Sequence, residues 1–372
     1  MITPWDDYPV HQTPMPVAHP ASGDPAHYER YWFGFFDREA TTAVGFGLSL
    51  HPNLGVADAA FSVSHAGRQT SLFASTALRP ERPLSVGPLS IEVVRPLRTL
   101  RVVADEHEGL GGEFVFHAHT DPAEEPRTVR TAGLRTVSDV TRVVQFGSVE
   151  GTLTTRQGGT TVLDRSRWLA VRNRSWGVRS LHGGAGGGTP ARPAAPPEAY
   201  FVWSVLHFDD ECLHTTWHED PAGNRSGVVA TALPVWGADP ARQPLRGTEA
   251  ACAIRYLPGT RRPAHARLRL GPAGGPSREV EIEARVPFLM KGLGYGHPDH
   301  AFGAWHGGET VSHESWNFAS LGPADRTTPH TQSLSLVRTA DGRTGTGLFE
   351  HGVFGRHTPS GMPDGTAAPT GE

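Results

Sequence analysis

The sequence has almost no lysine and little cysteine. Lys291 is the only lysine among 372 residues, and Cys212 and Cys252 are the only cysteines. Two cysteines are too few for a disulfide framework, so we expect buried free thiols, with a single bridge left open. The formal net charge of −4 lacks the basic footprint that binding to nucleic acid or an anionic membrane requires. We expect neither partner.

Long apolar runs and helical patterns are also missing. Nowhere do about 18 consecutive apolar residues occur, so no membrane span is predicted. The first twenty residues lack a basic segment followed by an apolar run, and we therefore expect a cytoplasmic protein. No run of a dozen residues places apolar side chains at i, i+3, i+4 and i+7. Any helices should be short and peripheral.

What the sequence does have is glycine and proline, at 44 and 32 residues, and apolar residues that alternate with polar ones. Alternation with period two is typical of half-buried strands, and glycine and proline favour tight turns. The pattern predicts an all-β fold with few short helices. The clearest alternating stretches are 90–93, 100–102, 149–154, 268–270, 280–283 and 334–336.

A glycine- and proline-rich segment divides the chain near its middle. Residues 183–197 read GGAGGGTPARPAAPP, a composition that cannot build a core and favours a linker or surface loop. We predict an N-terminal barrel-like domain over 1–182, the linker over 183–197 and a C-terminal barrel-like domain over 198–356. The composition of 357–372 predicts a flexible tail.

Several familiar motifs are absent, and histidine clusters are the remaining candidates for a metal. The sequence has no HExxH, Walker-type GxxxxGK, CxxC or GxSxG motif, which disfavours nucleotide chemistry, and no cofactor is predicted. Two clusters have the residue types that can hold zinc or ferrous iron, and His214 and His218 of the first and His297 and His300 of the second are the leading candidate ligands. The clusters are His207, Cys212, His214, His218 and Glu219, and His297, His300, His306, His313 and Glu314. The same histidines also fit ordinary polar or turn positions.

The most distinctive string lies at 166–179 and reads SRWLAVRNRSWGVR. It combines arginines, an amide, hydroxyls and two indoles, which are costly to bury unless they meet carboxylates, carbonyls or a ligand. Glu350 and His351 are candidates for an opposing acid and base. The alternative is an ion-pair and hydrogen-bond network that clamps the two domains together.

Residues 172–179 resemble the R-D-x-S-W-G-x-R signature of the hydroxyneurosporene synthase (carotenoid 1,2-hydratase) and AttH-like superfamily. Residues 31–37, 45–55 and 345–355 are similar to uncharacterised bacterial members, so the likeness extends over most of the chain. Asn173 stands where the signature commonly has an acidic residue. An amide cannot supply a proton as a carboxylic acid does.

The resemblance implies two tandem lipocalin-like β-barrels or strongly bent antiparallel sheets, with a cavity inside or between them. It implies a cofactor-free hydratase, lyase or isomerase that acts on an apolar, terpenoid- or polyketide-like alkene. Such chemistry needs a proton donor, an aromatic wall and a positioned water. The catalytic candidates are Glu350, Asp37 and Asp58 as proton donors and His351 and His207 as water-positioning groups. The substrate-binding candidates are Arg172, Asn173, Trp176, Arg179 and Trp305.

Two other functions stay open. A non-catalytic, lipocalin-like carrier of an apolar small molecule would use Arg172, Arg174 and Arg179 to hold a ligand carboxylate or to seal the barrel mouth. A metalloenzyme would use the histidine clusters. Buried polar groups serve both stability and catalysis, so the sequence does not decide between these functions, and it predicts no oligomeric state.

Overall fold

The computed structural model describes residues 1–132, 134–179, 199–241, 244–275, 277–321 and 330–363. Within these ranges the chain forms two antiparallel β-sheets and four short 3₁₀ helices. The predicted linker, 183–197, lies outside the described residues, as do residues 364–372 of the predicted tail. The helices are Pro4–Asp7, Met290–Leu293, Phe318–Ser320 and Thr358–Ser360.

The first sheet takes the N-terminal half of the chain and one later strand. Its order is β20-β4-β3-β2-β1-β12-β10-β8-β7-β6-β5, and β9 and β11 both pair with β10. The strands are β1 His27–Asp37, β2 Thr42–His51, β3 Val56–His65, β4 Arg68–Ala77, β5 Ser85–Val86, β6 Leu89–Arg95, β7 Thr99–His107, β8 Leu110–Ala118, β9 Ala123–Ala132, β10 Arg135–Thr155, β11 Gly159–Leu163, β12 Trp168–Arg179 and β20 Thr310–Asn317.

The second sheet takes the C-terminal half, in the order β16-β15-β14-β13-β22-β21-β19-β18-β17. It closes almost completely into a barrel, whereas the first sheet is a half-barrel. The strands are β13 Ala199–His207, β14 Glu211–Glu219, β15 Arg225–Pro234, β16 Leu245–Gly247, β17 Glu249–Tyr256, β18 Pro263–Gly271, β19 Arg278–Leu289, β21 His330–Thr339 and β22 Thr344–Phe354. The predicted all-β, lipocalin-like architecture is confirmed.

Both faces of the central strands of the first sheet are buried. Every residue of β2 is buried, with Phe46 and Leu48 in a core on the inner face and Ala43 in a second core between the sheets. We call the two sides of this sheet the inner face and the inter-sheet face. Gly45 lies on the inter-sheet face, where a Cβ would come within 2.6 Å of the Phe288 ring. The second barrel has a third core of its own.

The alternating stretches of the sequence all lie in strands, namely β6, β7, β10, β18, β19 and β21, so that prediction is confirmed. The prediction of peripheral helices is wrong for Met290–Leu293, all of whose residues are buried. Polar side chains of the first sheet surround this turn and hydrogen-bond to the nearby backbone groups, which removes the free-energy cost of burying them unpaired. Gly292 permits the approach, since a Cβ there would lie 2.2 Å from Gln69 Nε2.

Two features depart from the predicted domain limits. Strand β20 belongs to the C-terminal half in sequence but pairs with β4 at the edge of the first sheet. Residues 357–363 are packed rather than frayed, because His357 is buried, bonds Glu219 Oε2 at 3.0 Å and bridges to buried Met362. The division of the chain at 183–197 stays a prediction.

The side chain of Gln69 joins the two sheets by satisfying the backbone of Leu289. It is fully buried on β4, its Oε1 accepts the Leu289 N–H at 2.6 Å, and its Nε2 donates to the Leu289 carbonyl at 2.9 Å. Nε2 also donates to Ser62 Oγ at 2.9 Å. One amide therefore satisfies both backbone groups of a residue in the other sheet.

We expect Gln69→Leu to lower the free energy of unfolding by about 2 to 4 kcal/mol, because it leaves a buried N–H and a buried carbonyl without partners. Urea unfolding followed by tryptophan fluorescence measures the change. The matched control is Gln157→Leu at an exposed position, which should change stability by no more than about 0.5 kcal/mol. Equal effects of the two substitutions would contradict the assignment.

Candidate active site between the two sheets

A row of polar side chains crosses the inter-sheet face of the first sheet. Residues in register on antiparallel strands stand side by side, so the pairing itself assembles the row. From β9 to β3 its members are Glu125, Arg142, Ser175, Arg30, Ser49 and Asp58. These groups face the second sheet rather than solvent. Their hydrogen-bonding partners, whether protein groups or a ligand, therefore have to lie inside the molecule.

Arg30 is at the centre of this row and is 3% exposed. Its guanidinium donates to Ser49 Oγ at 2.5 Å and to the Leu293 carbonyl at 3.1 Å. The Phe302 ring lies 4.0 Å from the guanidinium carbon, close enough for a cation–π interaction. Gly47 makes room for the side chain, since a Cβ there would lie 2.4 Å from Nη2.

Asp58 is a charged member of the row rather than a proton donor. Burial acts to raise its pKa, but His51, the charge of Arg30 and the Gly303 N–H together lower it. His51 Nε2 lies 2.9 Å from Oδ2, which also accepts the Gly303 N–H at 2.9 Å. The carboxylate therefore holds the 294–309 loop to the sheet in its ionised form, which does not fit the predicted acid.

Glu350 lies on β22 and faces the first sheet from the opposite side. Oε1 lies 2.5 Å from His330 Nε2 and Oε2 accepts from Gln332 Nε2 at 2.5 Å. Register places Trp203, Glu350 and Gln332 side by side on three neighbouring strands. The side chains of Glu350 and His330 keep 12% and 13% of their surface exposed, so solvent reaches the pair.

Arg179 at the end of β12 faces Glu350 across the space between the sheets. Burial alone would lower its pKa, but Tyr295, Tyr28 and Glu350 raise it, so the guanidinium is cationic. It lies 5.3 Å from the Tyr295 ring centre and 5.9 Å from that of Phe302. The cation is therefore held over an aromatic surface beside the Glu350 carboxylate.

Aromatic rings line the same space. Trp32 and Trp203 meet edge to face with centres 5.6 Å apart, and the His330 ring lies 5.2 Å from both Phe201 and Tyr295. Trp32 Nε1 is buried, and none of the described residues accepts its hydrogen bond. Buried donors in native structures are usually paired, so this indole N–H is a candidate donor to a ligand.

Asn173 is the neighbour of Trp32 in register and also projects from the inter-sheet face. Its side-chain amide is partly exposed, and within the described ranges it makes no hydrogen bond. Two polar groups of the first sheet, the indole N–H and the amide, are thus directed toward the aromatic wall of the second sheet. They are available to a bound molecule.

Positive charge gathers at one end of this space. His218 has its pKa lowered to about 4, first by burial and then by the charges of Arg130 and Arg142. Burial and the neighbouring Arg142 and Arg179 likewise lower the pKa of Arg130. Three guanidiniums from β9, β10 and β12 are therefore close enough to influence one another, which favours an anionic or oxygen-rich group in a ligand.

Glu350 and His351 do not form the predicted acid–base pair, because adjacent residues of a strand point to opposite faces. His351 projects into the second barrel, where it contacts the Tyr256 hydroxyl and the Phe201 carbonyl, each at 3.0 Å. Burial lowers its pKa to about 3. His351 is a neutral group of that core.

Asp37 is also placed elsewhere. It ends β1 and accepts the backbone N–H groups of Thr41 and Thr42, both at 2.8 Å, and the Thr41 hydroxyl at 2.5 Å. These bonds occupy the carboxylate in the turn between β1 and β2. The residue stabilises the turn rather than donating a proton to a ligand.

The arginine signature is divided between the two faces of β12. Asn173 and Arg179 are on the inter-sheet face, whereas Arg172 is on the inner face. The Arg172 guanidinium donates to Gln145 Oε1 at 2.9 Å, and burial lowers its pKa to about 10. Trp176, 39% exposed, also projects from the inner face, packing near Arg174. Trp305 is 53% exposed on the 294–309 loop. The structure does not bring Arg172, Trp176 or Trp305 to Glu350.

Of the four predicted metal ligands, His297 and His300 lie close together, with ring centres 4.9 Å apart, but none of the four belongs to a group of three ligands among the described residues that could hold one ion. His214 uses both nitrogens, with Ser204 O at 3.0 Å and Glu125 Oε1 at 3.1 Å. His297 accepts the N–H groups of residues 299 and 300 at Nδ1 and meets Glu314 at Nε2. His300 contacts the Ser312 hydroxyl, and His218 lies against Phe201. His207 lies in a different buried cluster, beside Cys212.

A cavity of about 290 Å³, which we call the mouth cavity, opens at the end of the first half-barrel where β3, β4, β10 and β20 meet. Glu350 does not line it. Val63 and Leu110 supply apolar surface, and Arg68 and Arg156 are among its charged residues. His313 lies in its wall and is stacked on His107, with ring centres 4.7 Å apart. No buried carboxylate lines it, so this mouth cavity suits binding better than proton transfer.

Sequence reasoning missed Arg30, His330, Gln332, Tyr295 and Trp32. One signal was available for two of them: His330 and Gln332 are two apart, the spacing that puts side chains on the same face of a strand. Their pairing with Glu350 depends on the register of β21 with β22, which a single sequence does not determine.

Over residues 2–363 the chain matches the model of a family described as Family of unknown function (DUF8625). It belongs to that family. No curated protein matches the sequence significantly. Within the described ranges, no helix is long and apolar enough to cross a membrane.

Two solved structures are similar to this chain in fold. A candidate AttH from Nitrosomonas europaea has a TM-score of 0.54 at 12% identity, over 93% of this chain and 98% of that one. Kievitone hydratase from Nectria haematococca has a TM-score of 0.51 at 12% identity, over 87% and 88%. The AttH-like fold predicted from the signature is thereby confirmed, while the specific likeness to hydroxyneurosporene synthase stays a prediction.

The depressed histidine pKa values predict acid sensitivity. Burial is the main cause that lowers the pKa of His218 to about 4 and of His351 to about 3. The unfolded chain takes up these protons below about pH 6.5, whereas the folded chain does not until about pH 4. The free energy of unfolding should therefore fall as pH drops through that window. Urea midpoints should fall less steeply for His218→Gln; an unchanged slope would contradict the assignment.

Proposed function

We propose that this protein is a hydratase, lyase or isomerase that acts by proton transfer on an apolar alkene bound between the two sheets. The Glu350–His330–Gln332 group carries the proposal. A buried carboxylate that orients an imidazole is a recurrent arrangement for moving protons, because it fixes which ring nitrogen donates and which accepts. The fold shared with a hydratase is consistent with this activity and adds no residue assignment.

The roles follow from the contacts. Gln332 donates to the Glu350 carboxylate, and with Glu350 ionised the His330 Nε2–H donates to the other oxygen. His330 Nδ1 is then the nitrogen that exchanges a proton with a ligand or water. We assign proton transfer to His330 and its orientation to Glu350, which revises the role predicted for Glu350 from the sequence.

The rest of the site fits an apolar molecule with a polar end. In hydration, the protonated imidazole would give its proton to one alkene carbon, and water would add to the other carbon and return a proton to the base. Phe201, Tyr295 and Trp203 supply rings that stabilise a developing cation. Arg179, with the Asn173 amide and the Trp32 indole N–H, would hold an oxygen-bearing end of the molecule.

We expect Glu350→Gln and His330→Gln each to slow turnover by about 10²- to 10⁴-fold, the usual contribution of a positioned acid or base. A panel of terpenoid- and polyketide-like alkenes, scored by mass spectrometry for gain or loss of one water and for deuterium uptake from heavy water, provides the assay. The matched control is Glu283→Gln, an exposed carboxylate on β19 paired with Arg285, which should keep full activity.

Two outcomes would count against this function. Wild-type turnover by a folded Glu350→Gln variant would remove the dyad from the reaction. Equal losses in Glu283→Gln and Glu350→Gln would show that the substitutions act through stability. Circular dichroism establishes that each variant is folded before its turnover is measured.

The mouth cavity favours a second candidate function, that of a carrier. Its volume of about 290 Å³ and its mixture of apolar and charged lining suit a small amphipathic ligand. A carrier should release its co-purified ligand unchanged on denaturation, and Glu350→Gln should retain as much ligand as the wild type. Thr155→Trp, which adds an indole to the cavity wall, should reduce retention. Chemical conversion of the ligand by the wild-type protein would reject the carrier function in favour of the proposed enzyme.

A further inference from the structure

A second cluster of reactive side chains joins the sheets at the tip of the β13–β14 hairpin. His207 ends β13, Cys212 lies near the start of β14, and His119 follows β8 in the other sheet. The backbone of His119 is bonded to β10 and to the segment after β15, since its N–H donates to the Phe146 carbonyl at 3.0 Å and its carbonyl accepts the Trp236 N–H at 2.8 Å. The cluster is therefore held by the fold.

The three side chains converge. Cys212 Sγ lies 3.5 Å from His119 Nε2 and 3.7 Å from His207 Nδ1, and one ligand atom from each residue lies within 4.8 Å of the other two. In a tetrahedral zinc site with ordinary bond lengths, a thiolate sulfur and an imidazole nitrogen are about 3.5 Å apart. The separations already match those of two such ligand pairs.

His207 supplies a second, independent observation. It is 1% exposed, and within the described ranges the only partner of its ring nitrogens is the Cys212 sulfur, 3.7 Å from Nδ1, which is a weak hydrogen-bonding group. Its ring is packed edge to face against Phe36 and Phe146, with centres 5.5 and 5.0 Å apart. Nδ1 is the nitrogen turned toward Cys212. The ring nitrogens of this buried imidazole therefore have little hydrogen bonding from the protein. Buried polar side chains usually have better partners.

We propose that Cys212, His119 and His207 bind one zinc-class divalent ion that cross-links the two sheets. Binding replaces the thiol proton, which leaves to solvent, by the metal, so charge and atoms balance. His119 is partly exposed and marks the side from which the ion enters and from which a water completes the tetrahedron. The ion would join His119 of the first sheet to His207 and Cys212 of the second, in a cluster that contains no member of the Glu350 dyad.

Another group of metal-binding residue types, His107, Glu108 and His313, lies at the mouth of the first sheet. Glu108 is exposed there and pairs with Arg156 at 3.3 Å, which competes for its carboxylate. The cluster also lacks sulfur, so a thiolate-specific signal distinguishes the two places. His313→Gln is for this reason a matched control, as is Cys252→Ser, which removes the other cysteine of the chain.

The test uses the full, untagged chain. Elemental analysis should find about one zinc ion per chain, and added zinc should raise the melting temperature of stripped protein. Cobalt(II) added to stripped protein should produce a thiolate-to-cobalt charge-transfer band. The band should be lost in Cys212→Ser and His119→Gln and kept in Cys252→Ser and His313→Gln. His119 is partly exposed, so its variant tests the site even if Cys212→Ser misfolds.

The absence of a charge-transfer band in folded wild-type protein would overturn the proposal and leave a hydrogen-bonded cluster. Retention of the band in folded His119→Gln would do the same, because cobalt would then be bound by another set of ligands. Stoichiometric metal that is bound without the band and is lost in His313→Gln would place the ion at His107, Glu108 and His313 and would also overturn the proposal.

Discussion

Burial of both faces of the central strands in the first sheet is the constraint on which the molecule depends. Strands β1, β2 and β12 have a core on each side, so a polar side chain directed at the second sheet has to find its partner inside the protein. Arg30 meets Ser49 and the Leu293 carbonyl, and Gln69 satisfies the backbone of Leu289. These contacts join the sheets because the alternative is an unsatisfied buried group.

The candidate site lies on the inter-sheet face around Trp32 and Asn173, opposite Glu350. Around Trp32 and Asn173 the inter-sheet face carries polar groups that have no partner among the described residues, and on the opposite side Glu350 and His330 keep some exposure. Buried polar groups need hydrogen-bond partners. Gln69 finds its partner in the backbone of the chain and is therefore structural, whereas the groups around Trp32 would find theirs in a bound molecule and are therefore candidates for chemistry.

Alternation predicted the fold well wherever one side of a strand meets solvent, as in β6, β7 and β18. It did not indicate β2, because a strand buried on both faces shows no alternation. The signature at 172–179 lies in β12, where its members divide between two faces, so Arg172 and Arg179 have unrelated surroundings. Glu350 and His351 have different surroundings because adjacent residues of a strand point to opposite faces. The contacts of Glu350 with His330 and of Cys212 with His119 depend on register and on sheet packing, which the local sequence does not encode.

Strand β20 couples the order of synthesis to the order of folding. During translation the edge strand β4 emerges long before residues 310–317, so the first sheet leaves the ribosome with a row of unpaired N–H and C=O groups. The edge can be closed only after most of the second barrel has been made. Premature pairing of β4 with another nascent chain is then the characteristic hazard of this topology, and the charged Arg68 and the polar Gln69 and Thr70 at the beginning of that edge oppose it.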